Sequence, residues 1–170
     1  MDTPLGKYAI VSIHRFENIY NKIRLNEIIK AVELIAKKYQ LLFVLHPATK
    51  KRLNKLDLIE QLENNENIKL IPRMGYISFI NLVSNSQFVV TDGGSNQEEL
   101  SFLNIPTLLM RDATERPEGI GDTAFLEGYK PDVMNKFLVE IENGGFRHTT
   151  NTLADANPSK VIVDYIQTHL

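Results

Sequence analysis

The sequence contains no cysteine among its 170 residues. This absence excludes disulfide bonds, cysteine-ligated zinc and thiol catalysis. The chain also lacks any apolar run close to the roughly 20 residues that a membrane-spanning helix needs. It has little excess of charge, because 19 lysines and arginines nearly balance 21 aspartates and glutamates, for a formal net charge of -2. We therefore expect neither nucleic acid nor a membrane as the main partner.

The residues that are present have the balance of a folded globular domain, with 43% hydrophobic and 24% charged side chains. A chain of this length is expected to form one ordinary domain that buries roughly two-thirds of the surface its unfolded form exposes. The first stretch, MDTPLGKYAIVS, lacks the basic-then-apolar pattern of a secretory signal. We therefore expect a cytoplasmic protein.

Short apolar runs alternate along the chain with stretches in which apolar residues recur at helical spacing. The predicted strands are 7–13, 41–45, 68–71, 87–91, 106–110 and 124–126. The predicted helices are 22–39, 49–64, 76–85, 95–103, 131–143 and a last one after Pro158. This alternation predicts an α/β fold with a parallel sheet and right-handed crossovers. We expect residues 1–150 to form the domain, and 151–170 to add a polar linker and a C-terminal helix packed on it.

Unusual polar residues follow four of the predicted strands. The sequences at these points are HRFEN (14–18), HPATKK (46–51), DGGSNQEE (92–99) and RDATERPEG (111–119). In an open parallel sheet, ligands bind in the crevice beyond the carboxyl ends of the strands. The four loops are therefore the candidates for a binding site.

The loop DGGSNQEE has two interpretations. Glycines 93 and 94 allow a close approach that a Cβ would block, and the following helix directs N–H groups at the loop, which suits phosphate. The alternative is a plain turn with Ser95 as N-cap and Glu98 closing a capping box. Glu99, on a different face from Glu98, either gains from the helix dipole or accepts hydrogen bonds from the hydroxyls of a ribose.

The basic residues of the other loops are equally open to two interpretations. His14 and His46 are either packing residues or groups that face phosphate or sugar. Arg15 offers a planar fork suited to phosphate. Arg116 either pairs with Glu115 or clamps a ligand.

Four motifs together, SIHRFEN, VLHP, TDGGSNQEE and LLMRDATERPEG, resemble the C-terminal half of the non-hydrolysing UDP-N-acetylglucosamine 2-epimerases. Members of this family are two-domain enzymes of the glycosyltransferase-B type of fold. The order and spacing of the motifs match along nearly the whole chain, and T-E-R-P-E is quite specific. The resemblance implies a Rossmann-like, UDP-binding half of such an enzyme, with no cofactor and no metal.

The resemblance also implies roles for individual residues. The family's active-site histidine falls on His14, and its uracil-stacking aromatic falls on Phe79 in the Y-x-x-F motif that Tyr76 completes. The rest of the implied substrate-binding set comprises a phosphate loop, a ribose carboxylate and an arginine: Gly93, Gly94, Ser95, Glu99 and Arg116. The family's regulatory site for a second UDP-sugar uses residues that match Arg15 and His46.

The chain departs from the family pattern at several positions. Phe16 replaces the second arginine of H-R-R-E-N, and Tyr20 stands where a glycine usually follows. The loop is D-G-G-S where the family has D-S-G-G, so a hydroxyl has moved from position 93 to Ser95. Met74 occupies a place where some members have a glutamine near uracil. These changes leave the identity of the sugar open.

The family reaction interconverts UDP-GlcNAc and UDP-ManNAc by eliminating UDP and adding it back. The carboxylates that move the C2 proton come from an N-terminal domain, so we expect this chain to be inactive alone. The implied partners are UDP or a UDP-N-acetylhexosamine, the N-terminal domain and a second copy in a homodimer. The alternatives are a UDP-sugar-dependent glycosyltransferase domain of the same architecture and a non-catalytic UDP-sugar-binding domain.

Overall fold

The computed structural model describes residues 8–146 and 158–169. Within these ranges six strands are present: β1 (Tyr8–Ser12), β2 (Gln40–Leu45), β3 (Ile68–Pro72), β4 (Val89–Thr91), β5 (Thr107–Leu109) and β6 (Ala124–Leu126). All neighbouring strands pair in parallel, in the spatial order β3-β2-β1-β4-β5-β6. This is the strand order of the Rossmann fold, and it confirms the predicted parallel α/β sheet.

The helices of the described residues alternate with these strands. They are α1 (Phe16–Ile19), α2 (Lys22–Ala36), α3 (Pro47–Lys55), α4 (Ile59–Glu63), α5 (Tyr76–Ser84), α6 (Gly94–Phe102), α7 (Pro131–Glu142) and α8 (Pro158–His169). Several begin where the sequence provides a start signal. The Asn21 side chain accepts a hydrogen bond from the Arg24 N–H at the start of α2, and prolines open α3 and α7.

The sheet is covered on both faces, which explains why its strands are continuous apolar runs. Successive residues of a strand point to opposite faces. Ala9 and Val11 of β1 pack in one cluster with residues of α2, α3, α4 and α7, whereas Tyr8 and Ile10 pack in a second cluster with residues of α5 and α6. The core therefore lies in two layers, one on each side of the sheet.

The predicted helix 49–64 is wrong as a single element, because the structure divides it into α3 and α4. The break lies at Asp57, whose φ of 56° is a left-handed conformation that an α-helix does not contain. The short helix α1 was not predicted either. It directly follows the loop after β1 and contributes the buried Asn18 and Ile19.

The predicted linker falls mostly outside the described residues, which end at 146 and resume at 158. The predicted last helix is present as α8, and the side chains of 159–169 are exposed. The division of the chain at residue 150, and the packing of the last helix on the domain, stay predictions. Across the described ranges, no helix is both long and apolar enough to cross a membrane.

The strand order places a topological switch point between β1 and β4. The chain moves outward from β1 to β2 and β3 on one side, and from β4 to β5 and β6 on the other. A crevice forms at the carboxyl ends of the strands at such a point, and ligands of α/β proteins bind there. The loops that meet at this crevice are HRFEN after β1 and DGGSNQEE after β4.

Candidate functional site

A single buried carboxylate joins the two loops at the switch point. Asp92 is 0% exposed and directly follows β4. Its Oδ2 accepts hydrogen bonds from the Arg15 N–H and the Asn18 amide, each at 2.9 Å, while the His14 N–H donates to both oxygens at 2.9 and 3.1 Å. The conformation of the loop 14–18 is therefore fixed by a residue far away in the sequence.

The side chain of His14 lies between this carboxylate and the glycine loop. Its Nδ1 is 3.3 Å from Asp92 Oδ1, and its ring centroid is 5.6 Å from that of His46. A Cβ built at Gly93 would lie only 3.0 Å from His14 Cε1. Gly93 has an ordinary extended backbone, with φ -83° and ψ 125°. A side chain at 93 would therefore require the imidazole to shift by a few tenths of an ångström, whereas the backbone conformation at 93 does not itself require glycine.

Helix α6 begins at Gly94 with Gly93 as its N-cap, and no side chain caps it. The predicted N-cap at Ser95 with a capping box to Glu98 is therefore wrong. Ser95 lies inside the first turn, and Glu98 Oε2 pairs instead with Arg116 Nη1. The first N–H groups of an α-helix have no partner within the helix, and here they point toward the crevice with the positive end of the dipole.

Gly94 makes room for the arginine of the loop after β5. A Cβ built at Gly94 would lie 3.0 Å from Arg116 Nε and 3.3 Å from Glu115 Oε1. Glu115 and Arg116 do not pair with each other in the structure, so that interpretation of the sequence is wrong. Glu115 accepts from Arg111 Nη2 at 2.7 Å, which holds the pKa of Glu115 at about 2, whereas Arg116 pairs with Glu98.

The loop 111–119 is held against α6 by the buried Gln97. Its Nε2 donates to the carbonyls of Arg116 and Glu118, both at 2.9 Å, and its Oε1 accepts from Thr114 Oγ1 at 2.7 Å. These three bonds satisfy the buried amide and fix the course of the T-E-R-P segment. The Arg116 side chain therefore projects from a loop whose backbone is fixed beside the N-terminus of α6.

Two clefts of about 280 Å³ each open at this end of the sheet. The first is lined by aromatic, apolar and polar side chains, among them Phe79, Met74, His46, Arg73 and Glu99. The second is lined by Arg15, Gly93, Gly94, Ser95, Glu115 and Arg116. His14 and Asn96 line both clefts. The two clefts therefore adjoin at His14.

Two titratable groups of the first cleft are shifted. Burial, and secondarily the charge of Glu98, raise the pKa of Glu99. Burial lowers the pKa of His46, and the neighbouring His14 and Arg73 lower it further. Arg73 Nη1 lies 3.5 Å from His46 Nε2. The first cleft thus contains the neighbouring side chains of His46 and Arg73 and the carboxylate of Glu99, all of which can bind a polar ligand.

The structure brings all the sequence-predicted site residues to these two clefts. His14, His46, Phe79 and Glu99 line the first, and Tyr76 lies at its margin with 61% of its surface exposed. Arg15 lines the second, so the two residues matched to a regulatory site lie beside the matched substrate residues. The described ranges contain no group of three or more His, Asp or Glu side chains placed to hold a metal.

Sequence reasoning missed three polar residues of this region: Asp92, Asn96 and Arg73. Asp92 had a signal, because it is the first polar residue after a buried strand and precedes two glycines. Asn96 had the weaker signal of lying in the first turn of α6, where its Nδ2 donates to Thr91 Oγ1 at 3.1 Å. Arg73 had the signal of a charged residue directly after β3, but its approach to His46 depends on the register of the sheet.

The fold and the site define a Rossmann-like α/β domain with a two-part polar crevice at its switch point. Residues 2–167 match the family model of UDP-N-acetylglucosamine 2-epimerase. The chain therefore belongs to the UDP-N-acetylglucosamine 2-epimerase family, and the predicted family resemblance is confirmed. The fold is that of the C-terminal half of a glycosyltransferase-B type enzyme.

Individual relatives agree with this assignment. The chain is 38% identical over 164 residues to UDP-N-acetylglucosamine 2-epimerase of Methanococcus maripaludis, an alignment that covers 94% of this chain and 44% of the relative. The chain thus spans less than half the length of that relative. Among solved structures, the Neisseria meningitidis UDP-GlcNAc 2-epimerase bound to UDP-GlcNAc superposes with a TM-score of 0.79 and 27% identity, over 96% of this chain and 45% of that one.

A further solved structure is the Methanocaldococcus jannaschii UDP-GlcNAc 2-epimerase in complex with UDP-GlcNAc and UDP. It superposes with a TM-score of 0.74 and 33% identity, over 85% of this chain and 40% of that one. The match to several epimerases over most of this chain favours the epimerase family over a glycosyltransferase of the same architecture.

Proposed function

We propose that this chain is the UDP-binding half of a UDP-N-acetylglucosamine 2-epimerase, which interconverts UDP-GlcNAc and UDP-ManNAc by eliminating UDP and adding it back. The observation that carries the proposal is the pair of clefts that adjoin at His14. Their linings differ as the two ends of UDP differ, since one holds an aromatic ring and a carboxylate and the other holds glycines, a helix N-terminus and arginines.

The first cleft suits the nucleoside. Phe79 is half-buried on α5 and presents a ring on which a uracil can stack. Glu99 lies one helical turn beyond the glycine loop and lines the same cleft, so its carboxylate can accept hydrogen bonds from the two ribose hydroxyls. Hydrogen bonds to the charged form would also offset the burial that raises the pKa of Glu99 in the free protein.

The second cleft suits the diphosphate. The N-terminus of α6 directs N–H groups and a positive partial charge at the cleft, and Gly93 and Gly94 let a phosphate approach the backbone. Arg116, which pairs with Glu98 in the free protein, can donate to a phosphate from the opposite loop, and the Ser95 hydroxyl can donate to a phosphate oxygen. UDP would therefore lie across the N-terminus of α6, with its diphosphate next to His14.

His14 is the proposed catalytic residue of this half, because it lines both clefts and touches the position of the leaving diphosphate. Elimination removes the C2 proton, breaks the C1–O bond and leaves the electron pair on the UDP oxygen. An imidazole at this position can stabilise that developing charge. The base and acid at C2 would come from an N-terminal half, and the assembled enzyme would be a cytoplasmic homodimer.

Arg15 and His46 stay candidates for regulation by a second UDP-sugar. Arg15 Nε pairs with Glu17 Oε1, and its side chain lines the second cleft. His46 faces His14 across the first cleft. A second ligand bound by these two residues would lie next to the first, and it would therefore act on UDP through direct contact.

Calorimetric titration of the chain with UDP tests the nucleotide-binding part of the proposal. Phe79→Ala should weaken binding by about 1–3 kcal/mol, the usual range for one base stacked on an aromatic ring. Ile77→Ala is the matched control, because Ile77 is on the same helix and 71% exposed and lines neither cleft. Absence of UDP binding by the unmodified chain, or an equal loss in both variants, would reject the site.

The reaction is tested on the enzyme that contains both halves. UDP-GlcNAc incubated in D2O should gain deuterium at C2, since elimination and re-addition exchange that proton with solvent. A glycosyltransferase has no reason to exchange it, and a non-catalytic binding domain would leave the substrate unchanged. UDP binding without exchange at C2 would therefore retain the site and reject the epimerase activity.

A further inference from the structure

Asp92 stands out among the buried polar groups because the proposed reaction does not use it. It is 0% exposed, and its carboxylate accepts hydrogen bonds from three donors on the loop 14–18 while facing the imidazole of His14. Burial of a carboxylate costs free energy unless it is well paired. A plain loop contact does not require a charged residue, because neutral side chains can also accept from backbone N–H groups.

We propose that Asp92 is a positioning residue for His14, which fixes the imidazole with Nδ1–H toward the carboxylate and leaves Nε2 for the clefts. The proposal concerns the orientation and tautomer of His14, and its consequence for catalysis rests on the proposed function.

The contacts of the two carboxylate oxygens support this assignment. Oδ2 is occupied by the Arg15 N–H and the Asn18 amide, both at 2.9 Å. Oδ1 accepts from the His14 backbone N–H at 2.9 Å and also faces the His14 side chain, with Nδ1 at 3.3 Å. A carboxylate only accepts hydrogen bonds, so a ring nitrogen that carries a proton is favoured at this position and one with a lone pair is disfavoured.

The surroundings of the ring restrict it further. The α-carbon of Gly93 lies against Cε1, so close that a Cβ there would be at 3.0 Å, and the His46 ring lies 5.6 Å away, centroid to centroid. Nε2 is on the edge of the ring opposite the carboxylate contact. It is therefore the nitrogen that can exchange a hydrogen bond with a diphosphate oxygen.

The substitution Asp92→Asn provides a sharp test. The amide oxygen is expected to keep the place of Oδ2, because the Arg15 N–H and the Asn18 amide both donate there. The amide NH2 then occupies the place of Oδ1 and presents a donor to Nδ1. His14 should change from the Nδ1–H to the Nε2–H tautomer. The His14 N–H loses its 2.9 Å bond to Oδ1 and keeps the 3.1 Å bond to the retained oxygen, so the variant should also be less stable.

The side-chain nitrogen shifts of His14, measured by ¹⁵N NMR on this chain, report the tautomer directly. The unmodified chain should show Nδ1–H and the Asp92→Asn variant Nε2–H. Asn18→Ala is the control, because it removes one hydrogen bond to the same carboxylate without changing the group that faces Nδ1. It should lower the free energy of unfolding and leave the tautomer unchanged.

The unmodified chain alone decides the orientation if the variant does not fold. An Nε2–H tautomer of His14 in the unmodified chain would overturn the proposal, as would a tautomer that Asp92→Asn leaves unchanged. In the enzyme with both halves, Asp92→Asn should lower kcat by about 10²- to 10⁴-fold with little change in KM. An unchanged kcat would overturn the consequence for catalysis, and the tautomer measurement would still decide the orientation.

These results are distinguishable from failure of the proposed function. If the unmodified chain binds no UDP and the assembled enzyme does not turn over, the proposed function fails, while the tautomer measurement still decides whether Asp92 orients His14. If turnover is present and His14 has the Nδ1–H tautomer, both stand, and the loss of kcat in Asp92→Asn measures what the orientation contributes.

Discussion

Gly94→Ala should separate the stability of the fold from its affinity for UDP. Gly94 is the first residue of α6, and it is not among the glycines with positive φ. Alanine is therefore compatible with its backbone, and the lower entropy of the unfolded chain favours folding by about 0.4–1 kcal/mol. Displacement of Arg116 from its pair with Glu98 opposes this gain, so the free energy of unfolding should change by less than about 1 kcal/mol. Urea titration measures this change.

The same methyl group should weaken UDP binding. It would lie 3.0 Å from Arg116 Nε, below the ordinary contact distance of about 3.5–4.0 Å, so the guanidinium must move away by several tenths of an ångström. A hydrogen bond to a charged group contributes about 1.5–3 kcal/mol, so loss of the Arg116–phosphate contact corresponds to a weakening of about 10- to 100-fold. Calorimetric titration with UDP measures it.

Two comparisons make this result decisive. Gly75→Ala is the matched control, because a Cβ at Gly75 meets nothing within 4 Å, and UDP affinity should be unchanged. In an Arg116→Ala background, Gly94→Ala should cost less affinity, because only the direct obstruction of the phosphate at residue 94 then remains. The reasoning is refuted if Gly94→Ala binds UDP as tightly as the unmodified chain, or if its penalty is just as large without Arg116.

Two further predictions concern the first cleft. Glu99→Gln should weaken binding of UDP more than binding of 2′-deoxy-UDP, because the proposed carboxylate contact is with the ribose hydroxyls. Calorimetric titration with each nucleotide compares the two losses, and equal losses would show that Glu99 does not contact the 2′-hydroxyl. The pKa of His46 in the folded protein is lowered from 6.5. As the pH decreases below about 6.5, the His46 side chain therefore binds a proton in the unfolded state more readily than in the folded state, and the free energy of unfolding falls. His46→Gln should reduce this loss of unfolding free energy between pH 7 and pH 5, measured by urea titration at each pH, and an unaltered pH dependence would contradict the assignment.

The strands could be predicted because each is a short, mainly apolar run, and the central ones, β1, β2, β4 and β5, are buried along nearly their whole length. LLFVL fills most of β2, and the predicted strand 124–126 coincides with β6. The break at Asp57 could not be predicted, because a non-glycine residue adopts a positive φ only when its surroundings impose it. The sheet order was not predicted from the residues either, since it depends on which strands pair in space.

The candidate site, like the fold, has parts that could be predicted from the sequence and parts that could not. His14, Gly93, Gly94 and Arg116 could be found because they follow strands in recognisable motifs, and the sheet brings these loops together. Which groups contact each other could not be found. Asp92 and His14 are 78 residues apart, and Arg116 pairs with Glu98 and not with its neighbour Glu115. Such contacts depend on side-chain directions that local sequence does not contain.

The loop D-G-G-S can now be understood together with His14. A side chain at position 93 would lie 3.0 Å from His14 Cε1, so the family's serine at this position would require the imidazole of this chain to move. Ser95, on the first turn of α6, lines the same cleft as Gly93. In this chain, therefore, the imidazole of His14 lies against residue 93, and the hydroxyl of the loop reaches the cleft from residue 95.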